Sequence, residues 1–194
     1  MTKLKFFLDY IDPASRVLDL RLRAILGEGF EDVELVPHEV RVPQQPPLDP
    51  ASPTWVQYWA AMVDLAPDEM GRLTPPTRLP HTRKAHELML HTSPGGSRSA
   101  LHSAIFTAAL EEGRDIGRVD ILVDLAVAAG LDRSETRAVL DVDRYTEEVE
   151  RIREASSTTG VVGVPTLMRD DALLEGVHDS EAIRAFVMQG THDD

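Results

Sequence analysis

Apolar residues open the chain in one short run. Leu4, Phe6, Phe7 and Leu8 stand together before Asp9, which predicts a buried strand over residues 3–9. Asp12-Pro13 then reads as a helix start, since Asp caps well and Pro suits the first helical position. Val17, Leu18, Leu22, Ile25 and Leu26 recur at helical spacing up to Gly27. Val33, Leu35, Val36 and Val40 place a second strand within 31–40. Two strands joined by one helix over so few residues predict a parallel βαβ unit.

The pattern breaks at 41–53, where Pro43, Pro46, Pro47 and Pro50 exclude helix and keep the residues before them extended. From 53 to about 158 the spacing is helical almost throughout. Trp55, Tyr58, Trp59, Met62 and Val63 mark one helix, and residues 82–92 another after the loop Thr74–Pro80. Leu101, Ile105, Phe106, Ala109 and Leu110 form the face of a third, and Ile121 to Ala129 a fourth that Gly130 stops. Asp132 with Glu135 caps a short helix ending near Leu140, and a longer one starts near 143. The character then changes. Residues 160–168 read as a turn feeding a strand, Asp170-Asp171 as a hairpin turn, and 172–176 as a second strand. Asp179 caps a last helix bearing Ile183, Phe186 and Val187. The order is βαβ, helical block, ββα.

A length of 194 residues fits one domain, or one domain with a large insertion. The balance of 20 Lys+Arg against 33 Asp+Glu, net -13, argues against nucleic acid or an anionic membrane as partner. Cysteine is absent, so this chain offers no thiol nucleophile, no thiolate ligand and no disulfide. The opening apolar run is too short for a signal peptide, and no stretch approaches the roughly 20 apolar residues of a membrane span. The expected location is cytoplasmic.

Other chemistry-bearing residues add little. His81, His86 and His91 fall five apart, a rotation of about 140° per step on a helix, so they do not converge on a metal. Pro94-Gly95-Gly96-Ser97 lacks the Lys and spacing of a phosphate loop. Arg114, Arg118 and Arg133 read as solvated helix faces. No metal site is expected.

Several spaced segments together resemble a known family. They are Phe7-Leu8-Asp9-Tyr10-Ile11-Asp12-Pro13-Ala14-Ser15, Leu48-Asp49-Pro50, Thr82–Leu88, and Ile105-Phe106 with Gly113–Ile116. Further on come Leu122–Ala126 with Ala129–Asp132, and Gly160-Val161-Val162-Gly163-Val164-Pro165-Thr166. The chain resembles the DsbA family of thioredoxin-like proteins, most closely its FrnE-like and 2-hydroxychromene-2-carboxylate isomerase-like branch. The resemblance implies an α/β thioredoxin-like fold built from 1–52 and 153–194, with an all-helical insertion at 53–152. It also implies an oxidoreductase or isomerase label, and homodimers among the relatives.

The departure from the family matters as much. Redox branches carry Cys-Pro-Xaa-Cys where this chain has Asp12-Pro13-Ala14-Ser15. The isomerase and kappa-class glutathione transferase branches carry Ser at the first of those positions. Thiol–disulfide exchange needs a thiolate to attack sulfur, and a carboxylate cannot do so. Asp12 is first of all an N-cap for the N–H of Ala14 or Ser15. Its second reading is a general base or ligand anchor. Ser15 would need a nearby base to become a nucleophile, and no His is close in sequence. The family's glutathione sulfur would lie beside the Asp12 carboxylate, where like charge raises a thiol pKa.

Val164-Pro165 resembles the family's cis-Pro loop, which faces the helix start and offers the backbone of Val164 to an extended ligand. The expected site therefore comprises Asp12 and Ser15 as catalytic candidates. Pro13, Ala14, Gly163, Val164, Pro165, Trp55 and Trp59 are the ligand-binding candidates. A small molecule or peptide is the expected ligand. The alternatives are a glutathione-dependent isomerase or kappa-class-like transferase using Asp12 or Ser15, and a partner-binding remnant without a ligand. Glutathione is the one cofactor considered.

Overall fold

The computed structural model describes residues 3–93 and 95–188. Strand β1 (Lys5–Leu8) leads into helix α1 (Pro13–Leu26) and then β2 (Glu34–Pro37). Helices α2 (Pro53–Leu65), α3 (Pro67–Met70), α4 (Arg83–His91) and α5 (Gly96–Phe106) follow. After them come α6 (Val119–Ala128), α7 (Arg133–Asp141) and α8 (Thr146–Thr158). The chain closes with β3 (Thr166–Arg169), β4 (Ala172–Glu175) and α9 (Ser180–Met188). The sheet order is β2-β1-β3-β4. β1 runs parallel to β2, pairing Phe6 with Leu35, and antiparallel to β3, pairing Phe6 with Leu167. This is the thioredoxin-like α/β fold that the residue order predicts.

β1 is central, and both of its faces are covered. Phe6 and Leu8 join the main core with Val17, Leu18 and Leu22 of α1 and Ile183 of α9. Phe7 points the other way, into a small cluster with Val36 and Val161 against Ile152 of α8. The two-residue period of a strand produces this split. It also explains why β1 reads as a continuous apolar run rather than an alternating one.

The second strand is shorter than the 31–40 expected from its apolar residues. Gly27–Asp32 wind into a 3-10 turn, and pairing begins at Glu34. The last α helix of the block starts at Thr146 rather than near 143, because Asp143 takes a left-handed turn (φ 53°). Thr107–Glu111 widen into a π-helical segment at the end of α5. Residue 153 lies within α8, which runs unbroken from the helical block and packs on β2. Among the described residues no helix is long and apolar enough to cross a membrane.

A buried polar chain ties α1 to the helical block. Tyr10 Oη lies 2.8 Å from His102 Nδ1, and His102 Nε2 lies 3.2 Å from Asp19 Oδ1. Asp19 accepts from Arg16 Nη1 (2.7 Å) and Arg23 Nε (2.9 Å). Arg16 Nη2 reaches on to Glu111 (2.6 Å) in the π segment. Neutral His102 donating from Nε2 and accepting from Tyr10 satisfies both ring nitrogens. Burial disfavours the imidazolium here, though Asp19 pulls the other way, and the net pKa is lowered. Burial likewise works against the Asp19 charge, but His102, Arg23 and Arg16 outweigh it and hold the carboxyl at about 2.

Candidate functional site

Asp12 caps α1, with Pro13 following it in the first turn. Its Oδ2 accepts the Ser15 N–H (2.7 Å) and the Ser15 Oγ–H (2.6 Å). Its Oδ1 accepts the Tyr58 hydroxyl at 2.5 Å, from 46 residues away. Burial pushes the Asp12 carboxyl up to about 6. The hydrogen bonds from Ser15 and Tyr58 offset that only in part, and nearby Asp9 adds to the rise.

Tyr58 reaches Asp12 because of how α2 begins. Ser52 accepts the Trp55 N–H (3.3 Å), and Pro53 follows it in the first turn. That start turns Trp55, Tyr58 and Met62 inward at helical spacing. Burial, followed by the Asp12 charge and hydrogen bond, raises the Tyr58 hydroxyl far above its ordinary range, so it stays a donor.

Ser15 sits beneath Asp12, wholly buried. Its Oγ donates to Asp12 and accepts the Asp9 N–H at 3.3 Å. It does not line the cavity. With its proton committed to a carboxylate and no open side, this hydroxyl has no path to a substrate.

The Val164–Pro165 peptide bond is cis. Thr166 Oγ1 donates to Gly163 O (2.8 Å), and Gly176 N–H donates to Pro165 O (2.8 Å), so the loop is braced from both sides. Val162, Gly163 and Val164 face Ile11 and Asp12 across a cavity of about 740 Å³. The proline loop, through Pro46–Asp49, forms a third wall, and Trp55 and Tyr58 of α2 a fourth. The helix start and the proline turn thus meet at one site.

The remaining candidates divide. Gly163, Val164 and Trp55 line the cavity. Pro13, Ala14 and Pro165 are buried behind the wall and shape it without reaching it. Trp59 packs on the main core without lining the cavity, whereas its neighbours Trp55 and Tyr58 do both. The three spaced histidines go separate ways. His81 Nδ1 contacts Arg41 O (3.3 Å), His86 Nε2 lies 3.5 Å from Asp9, and His91 Nε2 lies 3.8 Å from Glu135.

Two groups in the wall escape a reading of the sequence. Glu39 is buried and held by both nitrogens of an Arg83 fork, Nε at 2.9 Å and Nη2 at 2.8 Å. Its charge is matched in place. His38 follows β2, and its N–H donates to Leu8 O as a last rung of the ladder. Its side chain lines the cavity, and its Nδ1 is buried without a partner among the described residues. Burial lowers the His38 pKa, with Asp9 opposing, so the ring is neutral at pH 7. The cavity therefore offers a neutral imidazole, the Asp12 carboxylate already holding three donors, the Arg83-paired Glu39, Arg41 and Asp49, among apolar and aromatic walls.

A family model described as a DSBA-like thioredoxin domain matches residues 3–187. The uncharacterized protein YwbO of Bacillus subtilis is 28% identical over 180 residues, covering 89% of each chain. A probable DsbA oxidoreductase of Streptomyces coelicolor superposes with a TM-score of 0.80 at 24% identity, covering 100% of this chain and 92% of that one. A 2-hydroxychromene-2-carboxylate isomerase superposes with a TM-score of 0.74 at 17% identity, covering 97% and 93%.

Proposed function

The chain belongs to the DSBA-like thioredoxin domain family, and from that premise we propose that it is a binding member of the family. It holds a small molecule or an extended peptide between the start of α1, the proline turn and α2. Cysteine is absent, so its own groups cannot carry thiol–disulfide exchange. The observation that carries the reading is the cavity at the helix start, walled by Ile11, Trp55, Tyr58 and Val162–Val164. Concave, mostly apolar sites with a few convergent polar groups are where ligands bind.

The polar groups select the ligand's charge. Asp12 is largely ionised at pH 7 with a pKa of about 6, Asp49 adds a carboxylate to the wall, and the third, Glu39, is paired with Arg83. Arg41 is the cation facing them. A thiolate or other anion brought to the helix start meets repulsion. A neutral ligand does not, and the His38 ring, whose pKa burial lowers, adds no charge of its own. Val164 N–H and C=O have no backbone partner among the described residues, which leaves them for strand-like pairing with a peptide.

The test is a pair of titrations followed by backbone amide shifts. The probes are glutathione and a neutral tripeptide blocked at both ends. The tripeptide is expected to move the amides of Val162, Val164 and Tyr58, while glutathione at equal concentration leaves them unchanged. Shifts with glutathione at Asp12–Ser15 and Val164 would instead favour a glutathione-dependent isomerase or transferase. No shift with either probe would favour a remnant that binds no small ligand.

A further inference from the structure

We propose that His38 is an acid–base residue of the cavity, positioned by Asp9, and that the chain moves a proton on a neutral ligand. The reaction rests on the cavity holding such a ligand, and adds chemistry to that binding. The sheet brings the pair together. Phe7 and Val36 are register partners of β1 and β2 and share one face. The ladder runs on past Leu8 and Pro37, since the His38 N–H donates to Leu8 O at 3.1 Å. Asp9 and His38, two residues beyond Phe7 and Val36, therefore stand side by side on that same face. Asp9 is fully buried and held twice. Its N–H donates to Ser15 Oγ (3.3 Å), and its Oδ2 accepts the Val40 N–H (2.6 Å). Its Oδ1 is left over. Among the described residues Asp9 Oδ1, His38 Nδ1 and His86 Nε2 are all buried without a hydrogen bond, and His86 Nε2 lies 3.5 Å from Asp9 Oδ1. Folded proteins rarely leave one buried polar atom unpaired, so a group of them in neighbouring side chains calls for a role.

The role follows from which way the ring faces. His38 lines the cavity, yet its Nδ1 is buried. A neutral ring with its proton on Nδ1 aims that proton inward at Asp9 Oδ1 and leaves the Nε2 lone pair for the cavity. A carboxyl behind an imidazole fixes the tautomer and steadies the imidazolium once it forms. Such contacts are often long in an empty site and tighten around a ligand. The charged and titratable groups around His38 are Asp9 and Glu39, which favour the imidazolium, and Arg153 of α8 and His86 of α4, which disfavour it. Glu39 is already paired with Arg83, so Asp9 is the carboxyl with an oxygen to spare. The step needs no co-reactant. A C–H bond of the ligand breaks, the proton goes to Nε2, and the electron pair stays on the ligand. The imidazolium then returns the proton to another atom of the same molecule.

The probe is 5-nitrobenzisoxazole, a neutral planar molecule that a base opens by removing a single C–H proton. The C–H and N–O bonds break together, and a nitrile and a phenolate form. The full chain is expected to open it faster than free imidazole at equal concentration, and His38→Gln to lower the rate roughly a hundredfold. Asp9→Asn is expected to slow the reaction and to move the midpoint of its pH profile downward, because the imidazolium loses its partner. A merely structural Asp9 would leave that midpoint in place. Ring nitrogen shifts of the unaltered chain supply a reading that needs no variant and no probe: the proton of neutral His38 is expected on Nδ1. A proton on Nε2 overturns the proposal. So does a rate that survives His38→Gln, which would assign the base to Asp12, or no turnover at all. If the blocked tripeptide still moves the Val162 and Val164 amides while the probe is not turned over, proton transfer falls and binding stands. Turnover lost in His38→Gln, with no tripeptide shift, keeps the acid–base site and removes the peptide as its ligand.

Discussion

Replacing Asp19 by alanine is expected to lower the melting temperature by about 6–20 °C. Asp19 is fully buried and holds Arg16 Nη1 at 2.7 Å, Arg23 Nε at 2.9 Å and His102 Nε2 at 3.2 Å. The Arg16 side chain is only 5% exposed, so without Asp19 its Nη1 has little water to fall back on, and Glu111 holds only Nη2. Removing one partner of a buried ion pair costs roughly 3–5 kcal/mol, because the other stays desolvated. For a chain of this size each kcal/mol shifts the melting point by roughly 2–4 °C. The pH dependence has a definite sign. The folded pKa of about 2 lies below the ordinary 3.8, so Asp19 stabilises above 3.8 and the contribution is lost as pH falls toward 2. Unfolding by urea at pH 7 and near pH 2.5 measures both effects. If the Asp19→Ala protein melts within 2 °C of the unaltered chain, the buried network is not what holds α1 to the helical block.

That network is hard to read in the sequence for a physical reason. Its members pair across long separations, 92 residues between Tyr10 and His102 and 95 between Arg16 and Glu111. Periodicity reports which face of an element is buried, and it says nothing about which polar side chains meet there. Local signals are legible because they are local. Asp12-Pro13 announces the start of α1, Ser15 lies within its first turn, and Val164-Pro165 announces the loop that faces it. Together with the order of apolar runs, these residues contain the thioredoxin-like architecture and two walls of the cavity. At the fourth wall the expectation is off by one residue. Trp55, Tyr58 and Trp59 all stand out in the sequence and all pack on the core, and helical phase turns Tyr58 toward Asp12 while Trp59 stays off the cavity. His38 carries no signal at all. It is a single polar residue after a strand, and only the closing of the proline loop over it makes it part of a site.

Asp12→Asn should stabilise the protein above neutral pH and have little effect below pH 4. The folded pKa of about 6 lies above the ordinary 3.8, so the native state binds the proton more tightly than the unfolded chain does. The stability this confers is complete below 3.8 and gone once pH passes 6. The difference corresponds to about 3 kcal/mol, since each pKa unit is worth about 1.4 kcal/mol. Asparagine caps a helix about as well as aspartate, so the Ser15 N–H keeps its acceptor. Its amide cannot satisfy both the Ser15 and Tyr58 hydroxyls as acceptor, which returns part of the gain. A net stabilisation of roughly 1–2 kcal/mol at pH 8, shrinking to near zero at pH 4, is the expected profile by chemical denaturation. A gap that stays constant between those pH values would show that burial does not tax the Asp12 charge. The same substitution also tests the ligand's charge. If the carboxylate is what turns glutathione away, the Asp12→Asn protein gains glutathione-dependent shifts at Val164 that the unaltered chain lacks. Aspartate at this position weakens the fold at neutral pH while a neutral amide would cap as well. On the proposed binding function, its presence is explained by what it excludes or admits at the cavity.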